Sequence, residues 1–121
     1  MPNVTKRKKA PPQPANWTVS YLDETVVAEV TAWPDTLRAN LQRIIDRVES
    51  QGLHSLTEEH AKHIRDEIWE FRPNASGGQG RAFYAAVTGK RVVIVLCEIK
   101  KTRKTPQRWI DLAVRRAATI V

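Results

Sequence analysis

Gly80–Pro106 reads GRAFYAAVTGKRVVIVLCEIKKTRKTP, and its pattern decides the fold. Val92–Ile99 is almost continuously apolar and rich in β-branched residues, as a strand buried on both faces must be. Arg81–Thr88 precedes it as a second strand, and Gly89-Lys90 supplies a tight turn between them. Two strands so joined pair antiparallel. Lys100, Lys101, Arg103 and Lys104 then crowd the exit of the buried strand. Thr105 is placed to cap a last helix with Pro106 at its first position, where the missing N–H costs nothing. Ile110, Ala113, Val114 and Ala117 form that helix's apolar stripe.

Upstream, Ile68–Arg72 (IWEFR) alternates as a strand does, and the Gly/Ser-rich segment 73–80 reads as a flexible loop. Residues 54–67 are polar and match neither period. Leu37, Leu41, Ile44, Ile45 and Val48 fall on one stripe of a helix capped by Asp35 and stopped at Gly52. Asp23 offers an N-cap to an earlier helix that ends by Trp33, ahead of Pro34. Trp17–Tyr21 alternates as a strand. The order is β-α-α-β-β-β-α. It predicts an α+β fold with an N-terminal strand, a helical hairpin, a mostly antiparallel sheet of about four strands, and a C-terminal helix. Residues 1–16, with four prolines and KRKK, read as a disordered basic arm ahead of a folded domain over 17–121.

A chain of 121 residues has room for one modest core. It has no apolar run of membrane-spanning length and no secretory signal, and the single Cys97 excludes an internal disulfide. A cytoplasmic location is expected. The net charge is +7, and it is segregated: +4 over residues 1–16, −5 over 17–80 and +8 over 81–121. A basic C-terminal third is an electrostatic footprint for phosphate. His60 and His63, even with His54, lack the carboxylates that would close a metal site. The glycine loop has no following Walker lysine. Neither a metal nor a cofactor is expected.

Three segments resemble the RelE/HigB toxin superfamily, in particular its phage-derived HigB-like branch. IWEFR, Ile68–Arg72, is similar to that branch's LWELR strand. GRAFY, Gly80–Tyr84, is similar to YRVFY, and KKTRKTP, Lys100–Pro106, to KKTQKTP. The resemblance runs from about Trp17 to Arg116 and includes the element order. It departs from the family at Leu96 and Glu98, where an aromatic commonly precedes the double lysine, and at Gln107, where RelE has a tyrosine. RelE also carries lysines where this chain has Ile68 and Glu70.

The resemblance implies the RelE-like fold and the toxin of a toxin–antitoxin pair. Such toxins are endoribonucleases that cut messenger RNA, commonly on the ribosome, and are covered by an antitoxin, in this branch usually a helix-turn-helix protein. A ParE-like gyrase-poisoning toxin and a non-catalytic phage-derived nucleic-acid-binding protein remain as alternatives. By resemblance, Arg81 and Lys101 match two catalytic arginine positions and Arg72 matches the end of the LWELR strand. Arginine suits the chemistry because its planar fork meets two phosphate oxygens and keeps its charge. Lys100, Arg103 and Lys104 are expected to bind RNA, and Tyr84 to stack on a base. Glu70 reads as ion-pair support for Arg72, with general base as the lesser role. Arg81 and Lys101 should lie close across the hairpin, so Arg81→Ala is expected to leave the fold intact.

Overall fold

The structure, a computed structural model, describes residues 17–121; the arm 1–16 lies outside them. Alternating and apolar runs become β1 (Thr18–Tyr21), β3 (Ile68–Phe71), β5 (Gly78–Val87) and β6 (Arg91–Lys100). The stripes spaced at three and four become α1 (Glu24–Thr31), α2 (Asp35–Gln51) and α3 (Gln107–Ala117). Two further strands, β2 (Ala61–Arg65) and β4 (Asn74–Ala75), bring the sheet to six strands rather than about four. The spatial order is β1-β6-β5-β3-β2, with β4 paired to β5. Every pairing is antiparallel except β1 on β6, which is parallel. The class is therefore α+β with a mixed sheet.

The sheet is covered on both faces. Val26 and Val30 of α1, with Leu37, Leu41, Ile44, Ile45 and Val48 of α2, pack on Phe71, Ala82, Tyr84 and Ile94. At about 1.5–3 kcal/mol for each large apolar side chain buried, this face carries most of the hydrophobic stabilisation. The two helices of the expected hairpin each pack mainly on strands rather than on each other. On the opposite face Ala113 and Ala117 of α3 meet Ile68, Phe83, Ala85, Val93, Val95 and Leu96.

Three local readings are corrected. Segment 73–80 is no open loop: Asn74 pairs with Gln79 and Ala75 with Gly78, leaving a two-residue turn at Ser76-Gly77. Pro34 and Pro106 occupy the N-cap positions of α2 and α3, so Asp35 lies inside its helix and Thr105 outside. Asp23 does cap α1, its Oδ1 accepting from the Val26 N–H at 3.1 Å.

A β-bulge sets the parity of the site. Phe83 pairs with Leu96 but Tyr84 with Ile94, so Val95 is the extra residue on β6. Val93, Val95 and Leu96 all join the α3 side, and Cys97 the α1/α2 side. From there alternation puts Glu98 and Lys100 on the α3 face, the face that also holds Arg81 and Glu70.

Beyond Leu22, β1 leaves the edge of β6. A charged pair takes over. Glu29 of α1 accepts from the Cys97 N–H at 3.0 Å, and Arg116 of α3 donates to the Val95 carbonyl at 2.9 Å. The two side chains meet at 2.9 Å, linking helices from opposite faces of the sheet around its open edge.

Candidate functional site

Three strand ends meet where α3 no longer covers the sheet. β3 brings Glu70, with Arg72 just past its end, β5 brings Gln79 and Arg81, and β6 brings Lys100. The register sets Glu70 against Phe83, Arg81 against Glu98, and Gln79 against Lys100. Side chains of directly opposed residues lie on one face. Beside this cluster opens a cleft of about 500 Å³ lined by Arg72, Gln79, Arg81, Lys100, Lys101, Thr102 and Arg103. Five of those seven are cations.

Arg81 is the best-held of them. It is 2% exposed. Its Nη1 donates to Asn74 Oδ1 at 3.1 Å and to the Gly80 carbonyl at 2.7 Å. Its Nη2 donates to Gln79 Oε1 at 3.1 Å. A guanidinium has five N–H donors, so two are left, one of them on Nε. That Nε lies 3.6 Å from Glu70 Oε2, beyond hydrogen-bond length, and has no acceptor. Arg72 Nε stands 3.4 Å from the same Glu70 oxygen, and Arg72 Nη1 donates to the Glu58 carbonyl at 3.3 Å.

Glu70, also 2% exposed, thus sits between two arginines as the expected ion-pair support, with its other oxygen, Oε1, unpartnered. Burial pushes its carboxyl above the usual range, against the opposing pull of Arg81 and Arg72. It lines neither the cleft beside Arg81 nor the one beside α2. Lys100 is half-buried and lines the cleft. Desolvation first, then repulsion from Arg81, holds its ammonium below its usual pKa. A lysine so placed binds an anion and releases a proton more readily than a free one.

The remaining site readings divide. Lys101 and Arg103 are exposed and line the cleft, while Lys104 is exposed and lines neither cleft. Tyr84 is in the core, 2% exposed and stacked on Phe71 with centroids 4.0 Å apart, so it presents no face to a base. Cys97 is buried, and burial raises its thiol pKa. His63 lies in a strand, its ring edge-on to Trp69 and its Nε2 2.7 Å from the Asp66 carbonyl. His60 precedes that strand, so the two histidines do not share a helix face. Among the described residues no three His, Cys, Asp or Glu side chains gather as metal ligands, and no helix is long and apolar enough to cross a membrane.

Residue-by-residue reading missed Asn74 and Gln79, which orient Arg81, because they stood in a segment taken for a loop. It also missed Arg43 and Arg47, and it weighed His60 only as a metal ligand or catalytic histidine. These line a second cleft, of about 320 Å³, against α2. The two arginines recur at i, i+4 on the polar face of α2, a spacing visible in the sequence. The net acidity of residues 17–80 hid it.

No curated protein matches the chain closely enough to count as a relative. Residues 28–118, from within α1 to the end of α3, match the family described as phage-derived Gp49-like protein. That match covers well over half of the 121 residues and includes every strand and side chain of the cleft. The chain belongs to the phage-derived Gp49-like family, which is related to the RelE/HigB-like toxins.

Proposed function

We propose that this protein is the toxin of a toxin–antitoxin pair, an endoribonuclease that cleaves messenger RNA on the ribosome using arginine and lysine. The observation that carries the reading is the cleft of Arg72, Arg81, Lys100, Lys101 and Arg103, whose nearest ion-pairing carboxylate, Glu70, is buried behind the arginines. Like charges held together cost stability unless an anion joins them. Their convergence suits a phosphodiester, whose charge grows in the transition state.

In the proposed reaction the 2′-hydroxyl attacks the adjacent phosphorus, its proton passing to solvent water. The P–O2′ bond forms, the P–O5′ bond breaks, and the products are a 2′,3′-cyclic phosphate and a 5′-hydroxyl. Arg72, Lys101 and the one remaining Nη2 N–H of Arg81 stabilise the phosphorane. Asn74, Gln79 and Glu70 hold Arg81 still, so little reorganisation is needed when charge develops. Lys100, with its lowered pKa, is suited to hand a proton to the leaving 5′-oxygen. A helix-turn-helix antitoxin covering this basic face would silence the toxin.

The test is induction of the protein alone in bacteria, with primer extension on cellular messenger RNA. Growth arrest with new 5′ ends inside coding regions is expected. Arrest with DNA breaks and intact messages would point to gyrase poisoning. Unimpaired growth with soluble protein would overturn the toxin reading.

A further inference from the structure

The cleft against α2 shares Arg72 with the cleft beside Arg81. Asn74 joins the two a second way: its Oδ1 accepts from Arg81 Nη1 at 3.1 Å, while its backbone carbonyl accepts from Asn40 Nδ2 of α2 at 2.7 Å. An extended ligand that reaches one cleft therefore meets the other across Arg72. The α2 cleft contributes Arg43 and Arg47, one helical turn apart and both exposed. No carboxylate lies within ion-pair distance of either among the described residues, although α2 carries Asp46 between them. Asp46 is instead engaged by Gln42, and Arg43 donates only to Asn40 Oδ1. Glu59 is the one carboxylate lining the cleft, against three arginines. Like charges at i, i+4 destabilise a helix by about 0.2–0.5 kcal/mol, a cost that a bound anion reverses. The wall between them is partly apolar, from Ile44 and Leu56, and the half-buried His60 adds a ring. At about 320 Å³ the cleft falls within the small-ligand range of about 300–1,000 Å³.

We infer that the α2 cleft seats a nucleotide flanking the scissile bond of single-stranded RNA, its phosphate on Arg43 and Arg47 and its base against His60, Ile44 and Leu56. Cations for phosphate beside an apolar wall with an aromatic ring are the means by which proteins hold an unpaired nucleotide. The strand would run from the Arg81 cleft over Arg72 to α2. This rests on the ribonuclease reading and extends it from the reacting phosphate to the neighbouring nucleotide.

The test compares the parent with the Arg43→Gln/Arg47→Gln double variant. Both side chains are exposed, so the fold is expected to survive, as an unchanged Tm would verify. Binding is read by anisotropy on 2′-O-methyl RNA, uncleavable at every position, as a dinucleotide and as a strand of about ten nucleotides, within the known range of single-strand site sizes. The double variant should bind the dinucleotide as the parent does. It should lose about tenfold affinity for the longer strand, with a salt slope shallower by about 0.7, one single-strand phosphate contact. In cleavage, KM for messenger RNA should rise with kcat unchanged. Equal affinity and equal salt slope of parent and variant would overturn the cleft assignment and leave the ribonuclease reading standing. A parent that neither binds nor cleaves RNA would remove both.

Discussion

Arg81 shows why a buried cation differs from an exposed one. Its charge is opposed by Glu70 and its fork is spent on Asn74, Gly80 and Gln79, so removing it leaves a buried carboxylate short of a partner. Arg81→Ala is therefore expected to destabilise the fold by about 3–5 kcal/mol, contrary to the neutral or favourable effect anticipated from charge repulsion alone. Urea unfolding checks this. Adding Glu70→Gln should recover part of the loss, about 0.5–3 kcal/mol of coupling, and a neutral single variant would mean that the pair is not formed. Lys100 behaves oppositely. Its folded pKa is lowered by desolvation and Arg81, so the protonated side chain costs stability at neutral pH. Lys100→Met should raise Tm there. The gain should fade as pH climbs through the lowered pKa and past 10.5, the ordinary value, above which the folded and unfolded parent are both neutral. Melting curves of both proteins across that range test the sign, and RNA cleavage by the variant should fall. The resemblance points to Lys101, and the structure sets Lys101 in the cleft together with Lys100. The face that Lys100 takes depends on the bulge, and in an unbroken apolar run no residue marks Val95 as extra. Tyr84 went wrong for a related reason: an aromatic beside an arginine looks the same whether its strand face is covered or bare.

At the level of elements, legibility followed burial. β5, β6, α1, α2 and α3 each carry enough apolar residues to declare a period, and all five formed. β2 did not announce itself because AKHIR is an edge strand, with only Ala61 and Ile64 partly buried against the cores. β4 hid inside a glycine-rich segment because a two-residue hairpin turn and an open loop share a composition. The parallel placement of β1 was equally illegible, since pairing direction is a property of the connection rather than of either strand. The Glu29–Arg116 clip follows from that placement. β1 ends at Tyr21, and β6 continues to Lys100 with ladder groups that need partners. Hydrogen bonds to charged groups contribute about 1.5–3 kcal/mol each. Glu29→Ala should accordingly cost about 1–3 kcal/mol and speed amide exchange at Cys97, whose N–H it accepts. Arg116→Ala should destabilise to a similar degree through the Val95 carbonyl. Unchanged exchange at Cys97 in the Glu29 variant would show that the edge is protected by something other than the clip.

For the whole molecule, charge is arranged by sequence block and then folded into place. The C-terminal block of +8 supplies Arg81, Lys100, Lys101 and Arg103 to one cleft, and the acidic middle block of −5 lends Arg72 to it and Glu70 as its buried counterion. Arginines 43 and 47 extend the positive track on α2. Residues 1–16 add four cations and no acid. Affinity for single-stranded RNA should therefore fall steeply with salt, with a log–log slope of about −0.7 for each phosphate neutralised. Deleting residues 1–16 removes charge and keeps every described side chain that lines either cleft. The truncated protein is expected to bind RNA more weakly, with a slope shallower by at most about 2.8, four single-strand contacts. Its kcat on messenger RNA should match the parent's, because every group assigned to the reacting phosphate remains. Binding titrations at several salt concentrations, paired with single-turnover cleavage, separate the two effects. A folded truncation that keeps its affinity would assign the arm no part in RNA binding, and one that loses cleavage outright would place chemistry in the arm rather than in the cleft.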